Sequence, residues 1–123
     1  MIDEEFQTQF VRWTGEMREL ARQAPCAGAV AAGMELWSWT LERLRRSIEP
    51  CGAPIFREAR QSVTFAMADA LCELLAVRSL TLDVLTVGPF YLDLGMIQSA
   101  HAAGRVAQIC SGLIFGHDPE RCV

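Results

Sequence analysis

Basic charge, histidine and hydrophobic runs long enough to cross a bilayer are all scarce in this 123-residue chain. Eleven Lys plus Arg against fifteen Asp plus Glu leave a formal net charge of −4 and an isoelectric point near 5.1. The basic footprint that a phosphate backbone requires is missing, so nucleic acid is not an expected partner. The longest apolar tracts, residues 26–37 and 106–116, fall short of the ~20 residues that span a membrane, and no membrane segment is expected. His101 and His117 stand alone, and the five cysteines (Cys26, Cys51, Cys72, Cys110, Cys122) are widely spaced with no Cys-x-x-Cys pair. That pattern lacks metal-ligand spacing. Without a leading signal segment, it points to a reducing, cytoplasmic setting. No Gly-x-Ser-x-Gly elbow occurs, and neither does a Gly-x-Gly-x-x-Gly or Gly-x4-Gly-Lys loop. Triad and phosphate-cradle chemistry therefore have no foothold. Strand alternation, repeats and low-complexity tracts are absent too; the β-branched stretch 81–87 continues the helical period that precedes it.

What is present is apolar substance: 51% hydrophobic residues against 21% charged. Such a composition and length predict one packed domain with a core of its own. Ile2, Phe6, Phe10, Trp13, Met17 and Leu20 recur at steps of four and three, which predicts an amphipathic first helix within residues 1–24. Its acids lie at the start and Arg18 and Arg22 at the end, as the helix dipole favours, and Pro25 closes it. A second helix is predicted over 26–48, with Val30, Met34, Trp37, Leu41, Leu44 and Ile48 inward. Its first half is crowded with Ala and Gly, so another helix can approach closely. Pro50, Gly52 and Pro54 form a break. A third helix, residues 56–86, is apolar almost all round, which predicts a place in the middle of a bundle. After Gly88 and Pro89 a fourth, 91–111, is read with Leu94, Ile97, Ala100, Ala103, Gly104 and Ala107 on its packing side, and a loop-like tail follows from Gly112. The expected fold is all-α, a four- to five-helix up-down bundle with antiparallel neighbours.

Few residues stand out as chemistry. Asp69 and Glu73 share a helix face, but without a Glu-x-x-His partner they read as a solvated strip. Gln98, His101, Arg105 and Gln108 form a polar stripe on the fourth helix. Two readings stand: an exposed bundle face, or a groove for a polar or anionic group, with Arg105 as the charge and His101 as the proton carrier. Most aromatic residues fit the core. Trp39 falls off the apolar stripe of the second helix and is expected at an interface or pocket rim.

The order of segments carries a resemblance. A small-residue helix leads into Cys51-Gly52-Ala53-Pro54-Ile55, then a helix headed by Gln61 and reading Gln61-Ser62-Val63-Thr64-Phe65-Ala66-Met67-Ala68-Asp69-Ala70. Further on come the alanine-rich segment 95–106, Gln108-Ile109-Cys110-Ser111-Gly112, and Pro119-Glu120-Arg121. Over residues 27–121 the chain resembles the carboxy-terminal helical domain of the acyl-CoA dehydrogenase family. There a Phe-Gly-x-Pro-Ile break precedes a Gln-headed helix, and a Gln-x-x-Gly-Gly turn comes later. The resemblance implies FAD contacts at Gln61, Gln108, Ser111 and Gly112. It implies another at Arg46, half a turn from the family's arginine offset, where Ile48 stands. For the base that takes the acyl α-proton it implies Asp118 or, as in relatives whose base lies earlier, Glu19. Because 123 residues do not also hold the family's other domains, it implies a helical protein that binds FAD only with a flavoprotein partner chain, in acyl-CoA or acyl-thioester oxidation, and that forms homo-oligomers. The other reading is a repurposed flavin-free bundle: a small-molecule binding or cyclase-type protein with an apolar cavity near Trp39, or an oligomeric interaction subunit.

Overall fold

The computed structural model describes residues 4–48, 61–87 and 89–116. They form four helices, α1 (Glu4–Leu20), α2 (Pro25–Ile48), α3 (Gln61–Val87) and α4 (Pro89–Gly116), and no strand occurs among the described residues. The helical assignment of residues 81–87 therefore holds. α1 carries Glu4 and Glu5 in its first turn and Arg18 in its last. It unwinds through backbone hydrogen bonds from Gln23 and Ala24 to the Leu20 carbonyl. The Ala24 carbonyl then accepts from the Ala27 amide, so Pro25 opens α2. There proline's fixed φ and missing N–H cost nothing. Pro89 opens α4 in the same way.

α2 and α3 bury residues at alternating steps of four and three. Val30, Met34, Trp37, Leu41 and Leu44 do so on α2, and Val63, Met67, Ala70, Leu74, Val77, Thr81 and Val84 on α3. This 3.5-residue spacing keeps one seam facing a neighbour along a helix. A methyl built on Gly33 would lie 2.8 Å from Leu74 Cδ2 and 3.9 Å from the Ala103 Cα, and one on Gly95 would lie 3.1 Å from Val84 and 3.6 Å from Cys26 Sγ. Matching low numbers with low on α2 and α4, and low with high on α2 and α3, fixes the directions. α2 and α4 run parallel, and α3 runs antiparallel to both. α1 lies antiparallel on α2, with the Phe10 ring 5.0 Å from that of Trp37 and an Arg18–Glu35 ion pair farther along.

The result is an up-down bundle, but not a square one. α2 packs against all three other helices, while the main contacts of α4 are with α2 and α3. The Ala and Gly residues of α2 allow this: Ala27, Ala31 and Gly33 are buried where α4 and α3 close in. Three expectations are corrected here. The central helix is α2, not the more apolar α3, which leaves Phe65, Leu80, Leu82 and Val87 exposed. On α4 the buried set is Gly95, Ser99, Ala102, Val106, Cys110 and Leu113, whereas Leu94, Ile97, Ala100 and Gly104 face outward. α4 also stays helical through Gly116, so Gly112 lies inside a helix and not in a loop or turn.

No helix among the described residues is long and apolar enough to cross a membrane.

Candidate functional site

Helix direction determines which residues meet. The carboxyl ends of α2 and α4 and the amino end of α3 lie together at one end of the bundle, as the parallel and antiparallel pairings require. At that end Arg46 lies near the close of α2 and Gln61 is the first residue of α3, while Gln108, Ser111 and Gly112 sit on α4 short of its close. Arg46 is exposed and holds Glu42 at 3.2 Å across one turn. Gln108, Ser111 and Gly112 are exposed as well, and nothing lies within 4 Å of where a Gly112 side chain would start.

Beside this cluster a groove of about 190 Å³ runs between α2 and α4, lined by Leu36, Trp39, Thr40, Cys110, Ser111 and Ile114. Trp39 is 53% exposed, with the Arg43 guanidinium 5.7 Å above its ring, and lies along the rim of this groove. Thr40 and Cys110 form the buried floor. Burial pushes the Cys110 thiol above its ordinary value, and the neighbouring Thr40 hydroxyl opposes that rise. A charged thiolate would lose its hydration there, so desolvation dominates. Sulfur is a weak hydrogen-bond partner, and Thr40 Oγ1 makes no hydrogen bond of standard geometry.

A second groove, about 390 Å³ and open along one side, lies between α3 and α4 and is lined by Asp69, Cys72, Glu73, Leu80, Gln98 and Arg105, among others. Arg105 Nε reaches Glu73 Oε2 at 3.9 Å. Of the carboxylate pair read as a solvated strip, Glu73 thus has a basic partner from the next helix. Gln98, His101, Arg105 and Gln108 are all exposed, as the first of the two readings held. They do not act as one constellation: Gln98 and Arg105 line this groove and His101 lies outside it. Trp39 belongs to the other groove. Glu19 sits on the last turn of α1, at the opposite end of the bundle from Gln108, exposed and 4.0 Å from Arg22. The structure does not bring it to the cluster. Asp118 lies outside the described residues, as do Cys51 and the rest of the Gly-x-Pro break.

Thr40 and Cys110 did not stand out in the sequence, since each reads as part of a helix stripe. The signal for Cys110 is its register with Val106 and Leu113 on the buried face. No group of three or more His, Cys, Asp or Glu residues among the described residues is placed to hold a metal ion. Compared with protein-family models, curated proteins and solved structures, the chain matches none of them.

Proposed function

We propose that this chain is a helical subunit that supplies one wall of a composite site, acting with a flavoprotein partner chain in the oxidation of an acyl thioester. What supports this reading is that Arg46, Gln61, Gln108, Ser111 and Gly112 all belong to the half of the bundle that holds the carboxyl ends of α2 and α4 and the amino end of α3. These are the positions at which the sequence resembles a flavin-contacting domain. Polar side chains at helix ends beside an exposed indole suit the edge of a large cofactor. They do not suit a cradle, because α4 has no turn at Gly112 and the adjoining groove is smaller than the ~300 Å³ at which ligand pockets begin. A bound flavin would supply the hydride acceptor. This chain's part would be to hold and orient it while the partner encloses it. Glu19 lies at the far end, so the α-proton base is either Asp118 or a carboxylate of the partner.

The test is to purify the tagged chain from its native cells and record the visible spectrum. A yellow complex bleached by acyl-CoA thioesters is expected. Gln108→Ala should keep the complex while weakening flavin retention by about tenfold, roughly 1.4 kcal/mol. A complex with no flavin, or flavin retention indifferent to Gln108 and Ser111, overturns the reading.

One observation favours the flavin-free alternative: the Thr40 hydroxyl at the floor of the Trp39 groove, which has only the weakly bonding Cys110 thiol beside it among the described residues. A small apolar molecule with one polar atom would satisfy it. Trp39 fluorescence should then respond to such molecules in wild type and much less in Thr40→Val; a response indifferent to Thr40 rejects it.

A further inference from the structure

Neither the flavin cluster nor the Trp39 groove involves the groove between α3 and α4, and the chemistry of that groove is divided along its length. Two contacts fix the register of this antiparallel pair: Glu73 meets Arg105, and Val84 lies against Gly95. Ala76 is therefore level with Ala102, and Leu80 with Gln98. Where two alanines face each other no side chain fills the space between the helices, and the groove of about 390 Å³ opens there. That volume falls within the ~300–1,000 Å³ of small-molecule sites. Its floor is apolar, formed by Ala76, Val77, Leu80 and Ala102. From Glu73 to Leu80 the groove follows seven residues of α3, about 10 Å of helix.

The end nearer Arg105 carries both signs of charge. Asp69 and Glu73 present carboxylates from α3, one turn apart, and Arg105 faces them from α4. Arg105 Nε and Glu73 Oε2 are 3.9 Å apart, beyond hydrogen-bond reach. Among the described residues that loose contact is the only ion pair of Arg105, and Asp69 has none. Two carboxylates alone would call for a cation. A guanidinium facing them calls for an anionic group beside that cation, since its planar fork of donors matches a carboxylate. We propose that this groove binds a free α-amino acid with a long apolar side chain: its carboxylate on Arg105, its ammonium between Asp69 and Glu73, and its side chain laid over Ala76 and Ala102 toward Leu80. The two charges of an amino acid sit on one carbon, which matches the close approach of Glu73 to Arg105. The ligand carboxylate gives Arg105 the paired hydrogen bonds that Glu73 does not. Cys72 is exposed at the same end, so a bound head group covers its thiol. The site shares no residue with the flavin cluster or the Trp39 groove, and its test is independent of both.

The full chain is titrated with L-methionine and L-phenylalanine by calorimetry, and alkylation of Cys72 by iodoacetamide is followed on the peptide that carries it. Both amino acids should bind and should slow that alkylation several-fold at saturation. Hexylamine and hexanoate, each with one of the two charges, should bind about tenfold more weakly than methionine or worse. Asp69, Ala76 and Arg105 are exposed, so their variants should keep the helical circular dichroism. Arg105→Gln and Asp69→Asn should each weaken methionine binding by about tenfold, the loss that goes with one hydrogen bond to a charged group. Ala76→Leu fills the floor, and its Cys72 should react at the same rate with or without methionine. No heat and no protection of Cys72 up to the solubility limit of both amino acids overturns the proposal. So does hexylamine binding as tightly as methionine, which would leave the carboxylates acting alone, or methionine binding that Arg105→Gln or Ala76→Leu leaves unchanged.

Discussion

Ser99 and Thr40 place hydroxyls on the inner faces of α4 and α2, fully buried and without a hydrogen bond of standard geometry. A buried hydroxyl that has lost water without gaining a partner costs about 1–3 kcal/mol. Ser99→Ala removes that cost and improves helix propensity, so it should raise the unfolding free energy by about 1 kcal/mol. A urea titration showing a loss of stability would mean that Ser99 has a partner after all. Cys110 adds a pH dependence whose sign follows from burial. Its folded pKa is raised from an ordinary value of 9.0, so the stabilisation is complete below that value. It is lost as pH rises toward the folded pKa, because there the unfolded chain has released a proton that the folded chain keeps. Wild type should lose stability above about pH 9 more steeply than Cys110→Ala, in urea midpoints measured across that range. Equal slopes would contradict the burial. Access to the thiols should differ in the same sense. Exposed Cys72 should react with a thiol reagent in the folded state, while Cys26 and Cys110 should wait for unfolding.

At the scale of the helix, the close packing of α3 on α2, with α4 next to it, rests on the absence of a side chain at Gly33. A methyl there meets the tip of Leu74 at 2.8 Å, and the backbone of Ala103 is next at 3.9 Å. Leu74 is flexible at its tip but fully buried. Gly33→Ala should therefore come out within about 1 kcal/mol of wild type, the clash offset by gained helix propensity. Gly33→Leu has no such escape and should cost about 3 kcal/mol by forcing the helices apart. Thermal unfolding of the two variants separates these outcomes, and equal effects would mean that α4 does not pack there. How much of this was legible in the sequence follows from the same spacing. On α1 and α2 one face alone is apolar, so Phe10, Met17, Val30, Met34 and Trp37 could be assigned inward from period alone. On α4 two faces carry apolar or small residues, so period could not choose between them. By side-chain size alone, the face with Leu94 and Ile97 reads as inner. The smaller Gly95, Ser99 and Ala102 pack inside because a parallel α2, itself thinned to Ala and Gly, leaves room for nothing bulkier. That Gln61 and Gln108 share one half of the bundle was implicit in helix order. The groove floor of Thr40 and Cys110 was not, because it depends on the parallel register of two helices that are not consecutive.

For the molecule as a whole, the arrangement predicts uneven stability. Ion pairs contribute little: Arg18–Glu35, Arg46–Glu42 and Arg22–Glu19 are each more than half exposed on both partners, and such pairs are worth at most about 1 kcal/mol and are screened by salt. Burial does the holding, and it is unevenly shared. α2, α3 and α4 enclose one another, whereas α1 is attached mainly along α2. Phe10 and Met17 are its only fully buried side chains among the described residues, reinforced by Arg78, whose guanidinium lies 4.8 Å from the Trp13 ring and 3.5 Å from Glu16. A helix held on one side opens at a lower free energy than the three it covers. Native-state hydrogen exchange should therefore find the amides of α1 exchanging well before those of Met34 and Trp37 on α2 or Leu74 on α3. Phe10→Ala removes the ring that sits on Trp37 and should cost about 3–5 kcal/mol locally. Its effect should be largest on α1, with exchange there approaching that of an open helix while the interior of α3 keeps most of its protection. If all four helices instead exchanged together in wild type, and Phe10→Ala lowered every amide by the same amount, α1 would be an integral part of the core and not a cover laid on α2.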